Sequence, residues 1–124
     1  MEVPKYLGDQ YIIELYKCDS ALLDDIPFIE QLMHKAAIAA GATVVQQFFH
    51  KFSPQGVSGT IVIAESHLNI HTWPEFGFAA VDIFTCGESL HPDKALDVMK
   101  QELKSERTKL HSIKRGLDIG SYHL

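Results

Sequence analysis

Apolar residues recur along the chain with two different periods, and the switches between them mark out its elements. Gln10–Cys18 alternates loosely and is rich in Ile and Tyr, which predicts a strand. From Ser20 to Ala40 the period lengthens. Ile29, Leu32, Met33, Ala36, Ala37 and Ala40 fall at helical spacing, and Gly41 stands where a helix end favours a left-handed residue. Thr43–Phe52 reads as a strand with Val44, Gln46, Phe48, His50 and Phe52 on one face, and Pro54-Gln55-Gly56 reads as a turn. Val57–Ala64 is a β-branched run expected to be a buried strand, and Ala79–Phe84 is another. Pro92 to about Ser105 predicts a second helix, with Leu96, Met99 and Leu103 on its inner stripe and Pro92 in its first turn. Lys109–Lys114 closes the chain as a last strand.

Strands joined by short turns pair antiparallel, and two amphipathic helices can cover one face of the resulting sheet. The expected fold is therefore α+β, a two-layer α/β sandwich with an antiparallel sheet and helices on one face. Residues 1–124 fit one compact domain, with no repeat, low-complexity stretch or linker. A domain of this size buries only about two thirds of its unfolded surface. The uncovered sheet face then needs a partner, and a second copy is the simplest.

Composition narrows the function. Hydrophobic residues make up 46% and charged residues 22%, as in ordinary globular proteins. A net charge of −5 argues against a nucleic-acid partner. The basic residues of Lys100–Lys104 and Arg107–Arg115 are interrupted by Glu102 and Glu106, and read as a solvated helix face and a strand. No apolar run or leader pattern points to a membrane, so a cytoplasmic location is expected. Cys18 and Cys86 are too few for a disulfide framework, and Cys18 reads as a core residue.

The unusual stretch is Ala64-Glu65-Ser66-His67-Leu68-Asn69-Ile70-His71-Thr72-Trp73-Pro74-Glu75, where an apolar strand runs into a carboxylate, a hydroxyl, two imidazoles and an indole. Cys86 follows the next strand, and Ser58-Gly59 lies upstream. Several chemistries fit such a cluster. A hydrolase would use Ser66 with a histidine base, but Ser66 lacks the flanking glycines of a nucleophile elbow. A zinc site would use His67 and His71, alone or joined by Cys86, but Trp73-Pro74 argues against the helix that a four-residue spacing requires. Self-processing at a serine is a third reading, and a satisfied polar turn is the plain one. His34, His91, His111 and His123 are read as structural.

Taken together, Gly56-Val57-Ser58-Gly59, Glu65-Ser66-His67-Leu68, His71-Thr72-Trp73-Pro74-Glu75 and Phe84-Thr85-Cys86-Gly87 resemble the short prokaryotic S-adenosylmethionine decarboxylases. The likeness extends to Cys18-Asp19, Gly41-Ala42-Thr43 and Phe49-His50-Lys51-Phe52. It implies a proenzyme that cuts itself between Glu65 and Ser66 into a β chain, residues 1–65, and an α chain, residues 66–124, whose first residue becomes a covalent pyruvoyl cofactor. The same resemblance makes Ser66 the residue that binds substrate as an imine, His71 the processing base, Ser58 a processing residue and Cys86 the proton donor. It puts Phe52 and Trp73 beside an adenine ring and Glu75 near a ribose, in a homodimer that needs no metal and supplies the aminopropyl donor for spermidine synthesis. One segment departs from the family pattern. A basic residue and a histidine usually follow the first glycine, and here the segment is Gly8-Asp9-Gln10-Tyr11. Asp9 would suit a second cationic group, which keeps a basic amino acid such as ornithine or arginine as an alternative substrate. A non-catalytic, uncut homologue is the alternative from another class.

Overall fold

The computed structural model describes residues 4–119, so His123 lies outside the described residues. Six strands form one antiparallel sheet: β1 (Gly8–Tyr16), β2 (Val44–Lys51), β3 (Val57–Ile63), β4 (Ser66–Trp73), β5 (Phe78–Thr85) and β6 (Arg107–Arg115). Their order across the sheet is β2-β3-β4-β5-β1-β6. Helices α1 (Ser20–Leu23), α2 (Ile26–Ala39) and α3 (Pro92–Glu102) lie on one face, which makes the expected two-layer α+β sandwich.

The core lies between the layers. Ile29, Leu32, Met33, Ala36 and Ala37 of α2 and Ala95 and Met99 of α3 meet Ile13, Leu15, Ile61, Leu68, Ile70, Val81 and Ile83 of the sheet, all nearly inaccessible to water. A Cβ on Gly59 would collide with the ring of Phe49, its cross-strand neighbour, so the missing side chain lets the aromatic lie over the strand. Helix α2 ends as expected. Gly41 has φ +87°, its N–H bonds Ile38 O and the Ala42 N–H bonds Ala37 O, which closes the last turn.

Three expectations need correction. The segment Ser20–Ala40 is two helices, because Pro27 has no N–H to continue the first one and Asp25 starts the second by accepting the Phe28 N–H. The face expected for Thr43–Phe52 is broken by a register shift between Val44 and Gln46. Val44 pairs with buried Ile63 on the helix side, whereas Gln46, Phe48 and His50 lie on the other side. Finally, residues Ser66–Trp73, read as a polar patch, form a strand. Leu68, Ile70 and Thr72 are buried against the helices, and His67, Asn69, His71 and Trp73 face the other way, half-buried.

The face away from the helices is therefore dressed with polar and aromatic groups, including Ser58, Thr60, His67, Asn69, His71, Trp73, Asp82 and Phe84. Among the described residues no helix is long and apolar enough to cross a membrane.

Candidate active site

The residues singled out in the sequence fall into two groups at opposite ends of β4. At its start, β3 and β4 are joined by Ala64-Glu65, with Ile63 paired to Ser66. Tight two-residue hairpins usually reverse with positive φ in the loop. Here Ser66 has the positive value, φ 154°, a conformation that costs a side-chain-bearing residue of order 1–3 kcal/mol. The surroundings hold it there. The Ala64 N–H bonds Thr43 O at 2.9 Å, and the Glu65 carboxylate accepts the Thr43 N–H at 3.1 Å. On the other side the Cys86 N–H donates to the Glu65 carbonyl at 3.2 Å. The carbonyl of the Glu65–Ser66 peptide thus has a fixed backbone donor, the kind of group that can stabilise negative charge on a carbonyl oxygen. The Cys86 side chain is exposed and its thiol is free.

At the other end of β4, His71 lies directly opposite Ser58 of β3. The His71 ring packs on Trp73 with centroids 4.3 Å apart and on Phe52 at 5.6 Å, and Phe52 meets His50 edge-on at 4.6 Å. Aromatic contacts continue from Trp73 through Phe78 to Tyr16, which carries the Arg107 guanidinium over its face at 4.4 Å. Glu75 is exposed on the short 3-10 turn Pro74–Phe76 that follows.

His71 is five residues beyond Ser66 on one extended strand, about 16 Å along it. Within one chain, Ser66 and Cys86 are together, and Ser58, His71, Phe52 and Trp73 are together, but the two groups are apart. His67 and His71 likewise share a face about 13 Å from each other, too far to share a zinc ion. Among the described residues no three His, Cys, Asp or Glu side chains converge on a metal position.

The divergent segment in β1 has its own partners. Asp9 is ion-paired with Lys114 at 3.2 Å, and the Lys114 ammonium lies 4.1 Å from the Tyr6 ring centroid. Asp9 raises the Lys114 pKa through this hydrogen bond. Asp9 also borders a cavity of about 340 Å³ lined by Tyr6, Cys86 and Glu88. Gln10 bonds Asp82, which also accepts from Asn69, and Arg115 bonds Gln10 in turn. Sequence reasoning missed this network, since its members come from four strands. A larger cavity, about 580 Å³, lies along the outer side of α2 at His34, Ile38 and Gln47, away from both groups. Cys18 is buried as expected. Its thiol points to Leu15 O at 3.6 Å, and burial pushes its pKa up.

A sheet of this topology under this helix layer is an adenosylmethionine decarboxylase fold. The crystal structure of the adenosylmethionine decarboxylase from Aquifex aeolicus superposes with a TM-score of 0.82 at 34% identity, covering 92% of this chain and 94% of that one. The corresponding enzyme of Trypanosoma brucei shares the fold with a TM-score of 0.61 at 15% identity, over 82% of this chain and 44% of its own. The chain belongs to the S-adenosylmethionine decarboxylase family, whose profile matches residues 9–116. Among its relatives, the S-adenosylmethionine decarboxylase proenzymes of Caldanaerobacter subterraneus and Methanococcus maripaludis are 52% and 50% identical. The first match covers 90% of both chains, the second 91% of this chain and 93% of the relative.

Proposed function

We propose that this chain is a proenzyme that cuts itself between Glu65 and Ser66 and then decarboxylates S-adenosylmethionine through a pyruvoyl group, as a cytoplasmic homodimer supplying the aminopropyl donor for spermidine synthesis. The observation that carries the reading is the Glu65–Ser66 peptide itself, with strained Ser66 backbone on one side and a donor on the carbonyl on the other. Family membership supports the substrate.

In the processing step the Ser66 Oγ attacks the Glu65 carbonyl carbon, and the Cys86 N–H stabilises the oxyanion. The C–N bond breaks and an ester replaces the amide. A base removes the Ser66 α-proton, the Cβ–Oγ bond breaks, and Glu65 leaves as a carboxylate. Water then releases ammonia from the dehydroalanine, leaving the ketone at the head of the 66–124 chain. His71 is the base and Ser58 assists it.

Since His71 stands about 16 Å from Ser66 along β4, the histidine that serves a given Ser66 comes from a second copy. Two copies packed through their open sheet faces about a two-fold axis perpendicular to the strands bring the start of one β4 over the end of the other. The polar and aromatic dress of that face suits such an interface. The residues at the Ser66 end fit a ketone made in place, because the turn and Cys86 already hold that backbone. The pyruvoyl group, once formed, supplies an electron sink for loss of carbon dioxide. Cys86 returns the proton, the aromatic faces of Phe52 and Trp73 flank the adenine and the cationic sulfur, and Glu75 accepts from the ribose hydroxyls. The Lys114 ammonium already occupies Asp9, which removes the reason to expect a basic amino acid there.

Mass spectrometry of purified protein should show two fragments split before Ser66. An assay should release carbon dioxide from S-adenosylmethionine and stop after borohydride trapping. A single intact chain after long incubation would overturn the proposal, and release from ornithine or arginine alone would move the substrate.

A further inference from the structure

The break between α1 and α2 is tied to the far end of β4 and the start of β3 by hydrogen bonds that are buried at Thr72 and partly exposed at Asp24. Thr72, 1% exposed, lies between His71 and Trp73. Its hydroxyl donates to Leu23 O at 2.8 Å and accepts the Val57 N–H at 2.9 Å. Val57 directly precedes Ser58. One residue after Leu23, the Asp24 carboxylate accepts the Gly56 N–H at 2.8 Å and the Lys51 ammonium at 2.8 Å. The Gly56 carbonyl in turn accepts the Phe52 N–H at 2.8 Å. One corner of the helix layer is therefore bonded next to Ser58, His71, Trp73 and Phe52.

We infer that Thr72 and Asp24 are positioning residues that set the register and tilt of the His71 half of the site from behind the sheet, and that neither touches substrate. The inference rests on the shared two-copy site proposed above. Its physical basis is that a buried hydroxyl with both its donor and an acceptor position used permits one arrangement of the three backbone segments it joins, the end of α1, the start of β3 and β4. An isosteric Thr72→Val would leave the Leu23 carbonyl and the Val57 N–H unpaired, and relaxation would move the flanking residues. A displacement of about 1 Å at a reacting group can cost about a hundredfold in rate.

The experiment uses mixed dimers. One chain carries Ser66→Ala, so it cannot be cut but lends its His71. The other carries His71→Ala, so it can be cut only with that help. This reference mixture should cleave the second chain. Adding Thr72→Val to the Ser66→Ala chain should slow the cleavage about tenfold or more, whereas adding it to the His71→Ala chain should leave the rate within about twofold. Thr72→Ser, which keeps the hydroxyl, should restore the rate on either chain. Asp24→Asn on the Ser66→Ala chain should slow cleavage by a smaller factor of about three. No cleavage in the reference mixture would overturn the shared site. Equal slowing from both placements of Thr72→Val, or none, would overturn the positioning role alone and leave the shared site standing.

Discussion

The two ends of β4 are built from different materials. The Ser66 end is made of backbone, with a turn, a carbonyl and the Cys86 N–H that points at it. The His71 end is made of side chains, with tilted rings packed against one another and a serine opposite. Backbone can hold a bond in a strained shape but offers no base. Rings and a hydroxyl can take up protons and flat ligands but cannot fix a peptide. The reaction proposed for this family member needs both, and the comparison predicts which substitutions hurt which step.

The largest effect is expected from Ser66→Ala, which removes the nucleophile and should abolish cleavage and activity together, read as an intact chain by mass spectrometry. Next comes a pair at Cys86. Cys86→Pro removes the N–H that donates to Glu65 and should block cleavage, whereas Cys86→Ala keeps it and should be cut while turnover falls about a hundredfold. Equal cleavage in the two would break the claim that this end works through backbone. At the side-chain end, Phe52→Ala should raise KM for S-adenosylmethionine about tenfold with most of the cleavage retained, in line with about 1–3 kcal/mol for a stacked base. The smallest effect is a pH dependence. The hydrogen bond from Lys51, with that from Gly56, holds the Asp24 pKa below the ordinary carboxylate value. Its contribution is present above about pH 4 and lost as pH falls through the lower, folded-state value. Urea titrations of the native protein and Asp24→Asn should differ at pH 7 and converge in acid.

Much of the fold was legible because the core obeys simple periods. Met99 and Leu103 lie buried on the predicted stripe of α3 and just beyond it, and Gly41 takes the left-handed conformation its position demanded. β4 was hidden because its outward residues are imidazole, amide and indole and one inward residue, Thr72, is polar, so the alternation of Leu68 with Ile70 looked too short. That one strand decides the site. The residues of the cluster were readable, but whether they sit together depends on an extended rise that a polar patch does not announce. The Thr72 hydrogen bonds were out of reach, since they join residues 15 and 49 positions apart in the chain. Asp25 followed by Pro27 did mark a helix restart, a signal the long apolar stripe of α2 overshadowed.

The length of β4 also has a meaning for how the protein comes of age. On the shared site proposed above, a chain that carries the bond to be cut at one end and the tool at the other would be inert when alone, however well folded. Its maturation would be second order: newly made chains in a dilute cell would wait for one another, and activation would quicken with abundance. A monomer would thereby be kept harmless by the span of a single strand.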